Sequence, residues 1–419
     1  MKKISSYLDL NSIYLFLVIF LPISLLISSG VSQSTEILII VTFLITCFYK
    51  NDFLWLKNKY CYLLLFICLS LLLNLLFSQN FNLSFIRNIT FFKNIIFIFA
   101  LSYILRIERN FNLVFILYLL VSSIVAFDIF FEYFNKKNIF GFQSSEPDRI
   151  ASFLRKELKI GAFVLGFSFI SVGYYFEKYS NKSINYKIFG FFLMFFFFTS
   201  LLLTGERANS LKGIIIILLF IFFSKNEIFK YKKIYLTAIV IITIFTFISS
   251  DRIRHRINVI LLPTINFGVV ESFKETQHGA HFDAAMKIFR KYPFFGVGNK
   301  NFREECFKDE YLNNNYKRTN ERCATHPHQI YYELLSEHGL IGTLTIVSVI
   351  FLILLKGIII FLKSRNSIHL MSILFILVQF FPVIPSGSFF TSWTATIFWL
   401  NFSILIFYNN KYENSHNRK

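Results

Sequence analysis

The sequence predicts an all-α, polytopic membrane protein. Of its 419 residues, 55% are apolar and 16% are charged, whereas a soluble domain carries about 25% charged residues. Phe occurs 57 times and Pro 7 times, which favours long uninterrupted helices over a turn-rich β protein. The run 188–203 has no charged residue and is long enough to lie within hydrocarbon. These observations argue against a water-soluble enzyme.

The order of the predicted elements follows from apolar length. A spanning helix needs about 20 apolar residues, and on that criterion the chain contains about twelve spans. The large connection before the tenth span is expected to be helical. The predicted spans cover residues 11–29, 34–49, 60–77, 89–105, 111–131, 160–177, 188–203, 209–224, 234–250, 339–362, 368–385 and 389–408.

Basic residues in the short connections predict the orientation. Clusters of Lys and Arg precede the first span and follow every even-numbered span, including Lys225, Lys230, Arg418 and Lys419. Because such clusters remain cytoplasmic, both termini are expected in the cytoplasm. The loops 132–159 and 251–338 then face the periplasm. We therefore expect three parts: residues 1–250, a loop domain at 251–338, and residues 339–419.

The net charge of +19 does not predict nucleic-acid binding. The basic residues lie in short clusters between apolar runs, as membrane orientation requires, and do not form a binding stripe. In the large loop, Cys306 and Cys323 are 17 residues apart. In an oxidising compartment they could form a disulfide. Their spacing does not fit a zinc site, and we predict no metal site.

His328 is the first candidate for chemistry. Pro327 fits the first turn of a helix, with Thr325 or His326 as its cap. The positive end of that helix would then depress the pKa of His328 and leave a neutral imidazole able to accept a proton. A capping or interfacial histidine is an equally weighted alternative.

A second candidate region precedes it. Residues 278–292 predict an amphipathic helix that Pro293 stops, with His281 at the edge of its apolar face. Arg303, just beyond the following glycine turn, is a possible ligand, although a solvated surface charge is the more common explanation for such a residue.

Several arginines fall on the same predicted face of the membrane. Arg207 stands at the outer end of the seventh span, and an ionisable group so close to hydrocarbon tends to line a polar cavity, although a contact with Glu206 or with a lipid headgroup is the alternative. Because guanidinium groups suit bidentate phosphate contacts, convergence with His281 and His328 favours a lipid-linked phosphate substrate. The other arginines on this face are Arg149, Arg252, Arg254 and Arg256.

The segment from His326 to Gly342 resembles the O-antigen ligase and polymerase superfamily. His328-Gln329, nine residues, Gly339, two residues and Gly342 satisfy the pattern of that family. The resemblance implies a glycosyltransferase of lipopolysaccharide biosynthesis in the bacterial inner membrane, without cofactor or metal. Undecaprenyl-diphosphate-linked glycan would be the donor and a hydroxyl of lipid A-core the acceptor, and the transfer would invert the anomeric centre.

The resemblance also implies roles for residues. His328 would deprotonate the acceptor, and Arg207 with other outer-loop arginines would hold the diphosphate. Many relatives carry an arginine near the start of the 278–292 helix, where this chain has His278 and His281. His281 or one of Arg252, Arg254 and Arg256 would supply that contact, and His326 is a further substrate-binding candidate.

Other functions remain alternatives. A polymerase of the same superfamily would use a second lipid-linked glycan as acceptor, and a protein-glycosylating relative would use Ser or Thr. A secondary transporter, the alternative from another class, should carry ionisable residues near the middle of its spans. Lys93, Asp128 and Lys212 instead lie close to span ends.

Overall fold

The computed structural model describes residues 2–179, 182–224, 232–382 and 384–416. Within these residues the chain forms helices and connecting turns, and no β-strand. Four basic residues that contribute to the predicted orientation, Lys225, Lys230, Arg418 and Lys419, lie outside the described residues.

The principal helices follow the predicted order. They are α1 (Lys2–Ile27), α2 (Ser29–Lys50), α3 (Lys59–Leu76), α4 (Phe81–Ile104), α5 (Glu108–Asn135), α6 (Ile160–Tyr179), α7 (Ile184–Leu203), α8 (Arg207–Phe223), α9 (Lys232–Ser249), α10 (Asp251–Lys274), α11 (Gln277–Lys291), α12 (Ile330–Ser364), α13 (Ser367–Gln379) and α14 (Ser392–His416).

Each predicted span overlaps one of these helices, although the helix at the predicted span 368–385 already ends at Gln379. The apolar helical architecture confirms an all-α polytopic membrane protein. In the described ranges, nine helices are long and apolar enough to cross a membrane. The helices α8, α13 and α14 occupy the three remaining predicted positions, and α13 has only 13 residues. The total of twelve crossings, the cytoplasmic termini and the three-part division of the chain therefore stay predictions.

Polar residues set the helix boundaries as local sequence requires. The side chain of Asn58 accepts a hydrogen bond from Tyr60 N at 2.9 Å, and Asn80 caps α4 through Leu83 N. Such side chains satisfy backbone N–H groups that have no partner within the helix. The prolines Pro382 and Pro385 lie in the non-helical connection between α13 and α14.

The apolar faces of the helices meet in one large core. The helix α12 packs against α3, α14 packs against α4, and α13 packs against α6. A glycine permits one close approach, because a Cβ on Gly166 would lie 2.2 Å from Ile397 Cγ2. These contacts bring α6, α8, α12, α13 and α14 together beneath the site.

The large loop has a small core of its own. Ile288 of α11 packs there with Val297, Phe302 and Cys306. Cys306 and Cys323 form a disulfide, with their Cα atoms 5.4 Å apart. This disulfide holds the segment that precedes His328 against the small core of the loop.

Candidate functional site

One cavity of about 600 Å³ lies between the large loop and the helix ends beneath it. Its walls combine bundle helices, the 132–159 loop, α11 and the segment between α13 and α14. The polar lining consists of Arg149, Lys159, Glu206, Asn209, Lys212, Gln277, His278, His326, His328, Gln379, Ser386, Ser388, Thr391 and Thr394.

Three histidine rings line this cavity and His281 packs behind them; we call the four the imidazole cluster: His278, His281, His326 and His328. The ring centroid of His328 lies 4.2 Å from that of His326. It lies 5.3 Å from that of His281 and 5.5 Å from that of His278. The structure thus joins two regions predicted separately, the 278–292 helix and the His328 segment.

The start of α12 differs from the prediction. Gln329 is the cap, and its side-chain oxygen accepts from Tyr331 N at 2.7 Å and Tyr332 N at 3.2 Å. Neither Thr325 nor His326 caps the helix, and Pro327 precedes it. The amide of Gln329 outcompetes them because it reaches two free N–H groups at once. His328 lies just before the helix with a positive φ of 62°.

Burial keeps the imidazole cluster neutral. It lowers the pKa of His328, so the predicted direction is confirmed but the cause is burial, not the helix dipole. Burial, helped by the neighbouring His328 ring, lowers the pKa of His278 and of His281 to about 4. Burial lowers that of His326 to about 3. At neutral pH these rings are uncharged and can accept protons.

Three guanidinium groups, Arg149, Arg207 and Arg256, form what we call the arginine cluster. Arg207 begins α8 and donates to the backbone oxygen of Arg256 at 2.9 Å. Burial and the positive charges of Arg256 and Arg149 lower the pKa of Arg207, and the charge of Arg207 also helps to lower that of His278. These partly buried positive charges repel one another, and an anion bound between them would offset that repulsion.

Glu206 organises this cluster without pairing with Arg207. Its carboxylate accepts from Gly161 N and from Asn209 Nδ2, each at 2.6 Å, and burial raises its pKa. A Cβ on Gly161 would come within 2.9 Å of that carboxylate. The Thr204–Arg207 turn is fixed to the other loop, since Ile150 N donates to Thr204 O at 3.1 Å.

Arg207, Arg256 and His281 do not line the cavity themselves but adjoin Arg149 or His328, which do, whereas other predicted site residues lie apart from it. Arg254 is exposed and pairs with Asp251, and neither Arg252 nor Arg254 lines the cavity. Arg303 donates to Thr325 O at 3.2 Å, beside His326 but outside the lining. Any role of these three arginines in substrate binding stays a prediction.

Two lysines line the cavity that sequence reasoning did not assign to the site. Lys159 lies over the ring of Trp393, 4.5 Å from its centroid. Lys212 is buried within α8, and its Nζ donates to Gln379 at 2.8 Å. The sequence signal for Lys212 was a second charge in α8, next to the apolar run 214–223, because a buried lysine needs a polar partner.

The motif glycine Gly339 produces a kink in α12. At φ 62° and ψ −165° it interrupts the helix. Leu340 N then donates to Pro293 O at 2.7 Å, and Ile341 N to Phe294 O at 3.1 Å. In return, Val297 N donates to Ser336 O at 3.0 Å. Gly339 therefore locks the glycine turn after α11 onto α12, which fixes the two halves of the imidazole cluster relative to each other.

Comparison with known families agrees with the predicted resemblance. Residues 189–347 match the family model described as O-antigen ligase. The matched segment includes Arg207, Arg256 and all four members of the imidazole cluster. No curated protein matches the chain. The match confirms the resemblance to the O-antigen ligase superfamily and supports a glycan-transferring membrane enzyme of that type.

Proposed function

From the similarity of residues 189–347 to O-antigen ligases, we propose that this chain is a ligase-type glycosyltransferase. It moves a glycan from undecaprenyl diphosphate to a hydroxyl of lipid A-core on the periplasmic face of the bacterial inner membrane. The observation that carries the proposal is a single cavity that contains both Arg149 and neutral His328 in its walls.

The arginine cluster binds the diphosphate of the donor. Arg149 lines the cavity, and Arg207 and Arg256 lie close enough to affect each other's charge. Their carboxylate neighbours compensate them only in part, since Arg256 Nη1 reaches Glu146 at 3.3 Å and that glutamate is half exposed. Guanidinium forks stabilise the charge that develops on the leaving diphosphate, which is the largest electrostatic demand of the reaction.

His328 acts as the general base. Its neutral imidazole takes the proton of the acceptor hydroxyl as that oxygen attacks the anomeric carbon of the donor. The new C–O bond forms on the face opposite the diphosphate, so the configuration inverts. The bond between the anomeric carbon and the phosphate oxygen breaks, and its electrons leave with the diphosphate. The other three imidazoles pack around the base, with ring centroids 4.2–5.5 Å from its own, and help to exclude water from it.

A polymerase of the same superfamily is the second candidate. The observation that favours it is the contribution of the 132–159 loop, which supplies Arg149 and Lys159 to the cavity. A second loop beside the base offers room for a second lipid-linked glycan. The donor chemistry and the role of His328 would be the same, and only the acceptor would differ.

A deletion strain complemented with variants tests both candidates. Wild type should restore glycan-bearing lipid A-core, whereas His328→Ala should leave free lipid A-core and accumulated carrier-linked polymer. Carriers with single-repeat glycans would instead indicate a polymerase. Asn314→Ala, an exposed polar residue of the large loop outside the cavity, is the control and should behave as wild type. Full glycan attachment by His328→Ala at wild-type protein level would refute the base assignment.

A second pair of variants tests the arginine cluster. Arg207→Lys keeps the charge but removes the planar fork, so it should lower the rate of transfer in membranes at saturating acceptor. Arg365→Lys is the control for loss of a guanidinium far from the cavity, because Arg365 follows the end of α12 that lies away from His328. Equal rates for the two variants would contradict diphosphate binding by Arg207.

A further inference from the structure

The helix α10 carries an apolar surface that the fold leaves uncovered. Residues 257–270 contain no charged side chain, and we call this segment the apolar elbow. Its side chains project from the protein: Ile265 is 69% exposed, Val269 72% and Val270 66%. Four more large apolar residues of the elbow are exposed, namely Val259, Leu261, Leu262 and Phe267. A water-facing loop would not present such a patch.

The length of the elbow identifies its environment. Even as one straight helix, fourteen residues would extend only about 21 Å, which is short of the roughly 30 Å of hydrocarbon in a bilayer. An uncharged run of that length belongs either to a buried core or to an interfacial segment, and the exposure excludes the first. Arg256 precedes the elbow and Glu271 follows it, so both ends remain at a polar boundary.

The one hydroxyl at the end of the elbow is satisfied within its own helix. The helix changes direction at Gly268, whose φ is 81°. The hydroxyl of Ser272 donates toward Gly268 O at 2.7 Å and Val269 O at 3.1 Å. Within hydrocarbon such groups must be satisfied internally, because no water is available.

The elbow is also continuous with the membrane surface and with the site. Residues 250–256 connect it to α9, which exposes Ile244 and Ile248 along its length. At one end of the elbow, Arg256 O accepts from Arg207. At the other, Gln277 and His278 line the cavity. The elbow therefore runs from the arginine cluster to the imidazole cluster along the lipid side of the protein.

We propose that the apolar elbow is immersed in the hydrocarbon of the leaflet on the site side, where it contacts the isoprenoid tail of the donor. The second part rests on the proposed function, and the first does not. The elbow then forms the lipid-facing border of the cavity, past which the diphosphate enters from the membrane while its tail stays in the leaflet.

Spin labels test immersion without reference to activity. Single cysteines replace Ile265 or Val269 in the full chain, with Cys47, Cys61 and Cys68 changed to Ala and the disulfide retained. In phosphatidylcholine vesicles, collision rates with oxygen and with a water-soluble nickel chelate are measured. Ile244→Cys on α9 is the lipid-facing reference and Asn314→Cys, exposed in the same loop, is the aqueous one.

The elbow labels should match the reference on α9, with high oxygen and low nickel collision rates. A match to the Asn314 label would overturn the proposal. Exclusion of both reagents would also overturn it, since that result means a protein cover such as a second copy of the chain.

The tail contact is tested by transfer rates with two donors. Val269→Lys should lower the rate with the full-length undecaprenyl donor on the order of tenfold, and leave the rate with a water-soluble short-chain donor unchanged. Equal losses with both donors would overturn the tail contact. If His328→Ala retained activity, the proposed function would fail while the spin-label result still stood.

Discussion

Replacing Gly339 by Ala should break the contact that joins α12 to the turn after α11. At φ 62° and ψ −165° the residue occupies a region that only glycine adopts readily, at a cost of about 1–3 kcal/mol for other residues. A Cβ there would also lie 2.4 Å from the carbonyl carbon of Phe294. The backbones must separate, because neither can move away as a flexible side chain would.

Gly268→Ala is the matched control for the backbone penalty. Gly268 has φ 81° and ψ 165°, in the same glycine-only region, yet a Cβ there would meet nothing within 4 Å. The difference between the two variants therefore isolates the collision and the hydrogen bonds from Leu340 and Ile341. Two such bonds are worth about 2 kcal/mol together.

We expect Gly339→Ala to lower the free energy of unfolding by about 2 kcal/mol more than Gly268→Ala. SDS titration of the purified protein in detergent micelles, followed by circular dichroism, measures both. Glycan attachment by Gly339→Ala should fall as well, because the kink positions the imidazole cluster. Equal destabilisation by the two variants, or a larger effect at Gly268, would refute the reasoning.

Three further predictions follow from the site. Transfer by His328 needs the neutral imidazole. Burial lowers the pKa of His328 below the usual 6.5, so the initial rate should fall with an inflection below pH 6.5 as the ring becomes protonated; an inflection at or above 6.5 would contradict this. Cys323→Ser removes the disulfide to Cys306, 17 residues away in the sequence, and should lower the free energy of unfolding by about 3 kcal/mol. The expected result is faster proteolysis within 251–338, and unchanged proteolysis would contradict it. Glu206→Ala should reduce transfer more than Glu206→Gln, which keeps an acceptor for Gly161 N; identical losses in membrane assays would argue against a positioning role.

The sequence predicted the helices well because apolar length and helix caps are local properties. The run 188–203 lies within α7, and the 278–292 prediction differs from α11 by one residue at each end. The glycine spacing of the motif also indicated His328, and a charge at the end of a span indicated Arg207. The local prediction failed at Gln329, since the reach of a side chain to two N–H groups depends on the actual path of the backbone.

By itself, the sequence determined the membrane-embedded helical class, the order of its helices and the motif from His328 to Gly342. Only the tertiary structure decided which polar groups share a cavity. It brought Lys159 and Lys212 to the lining and left Arg254 paired at the surface. The physical reason is that burial and like-charge proximity, which tune His328 and Arg207, arise from residues distant in the chain.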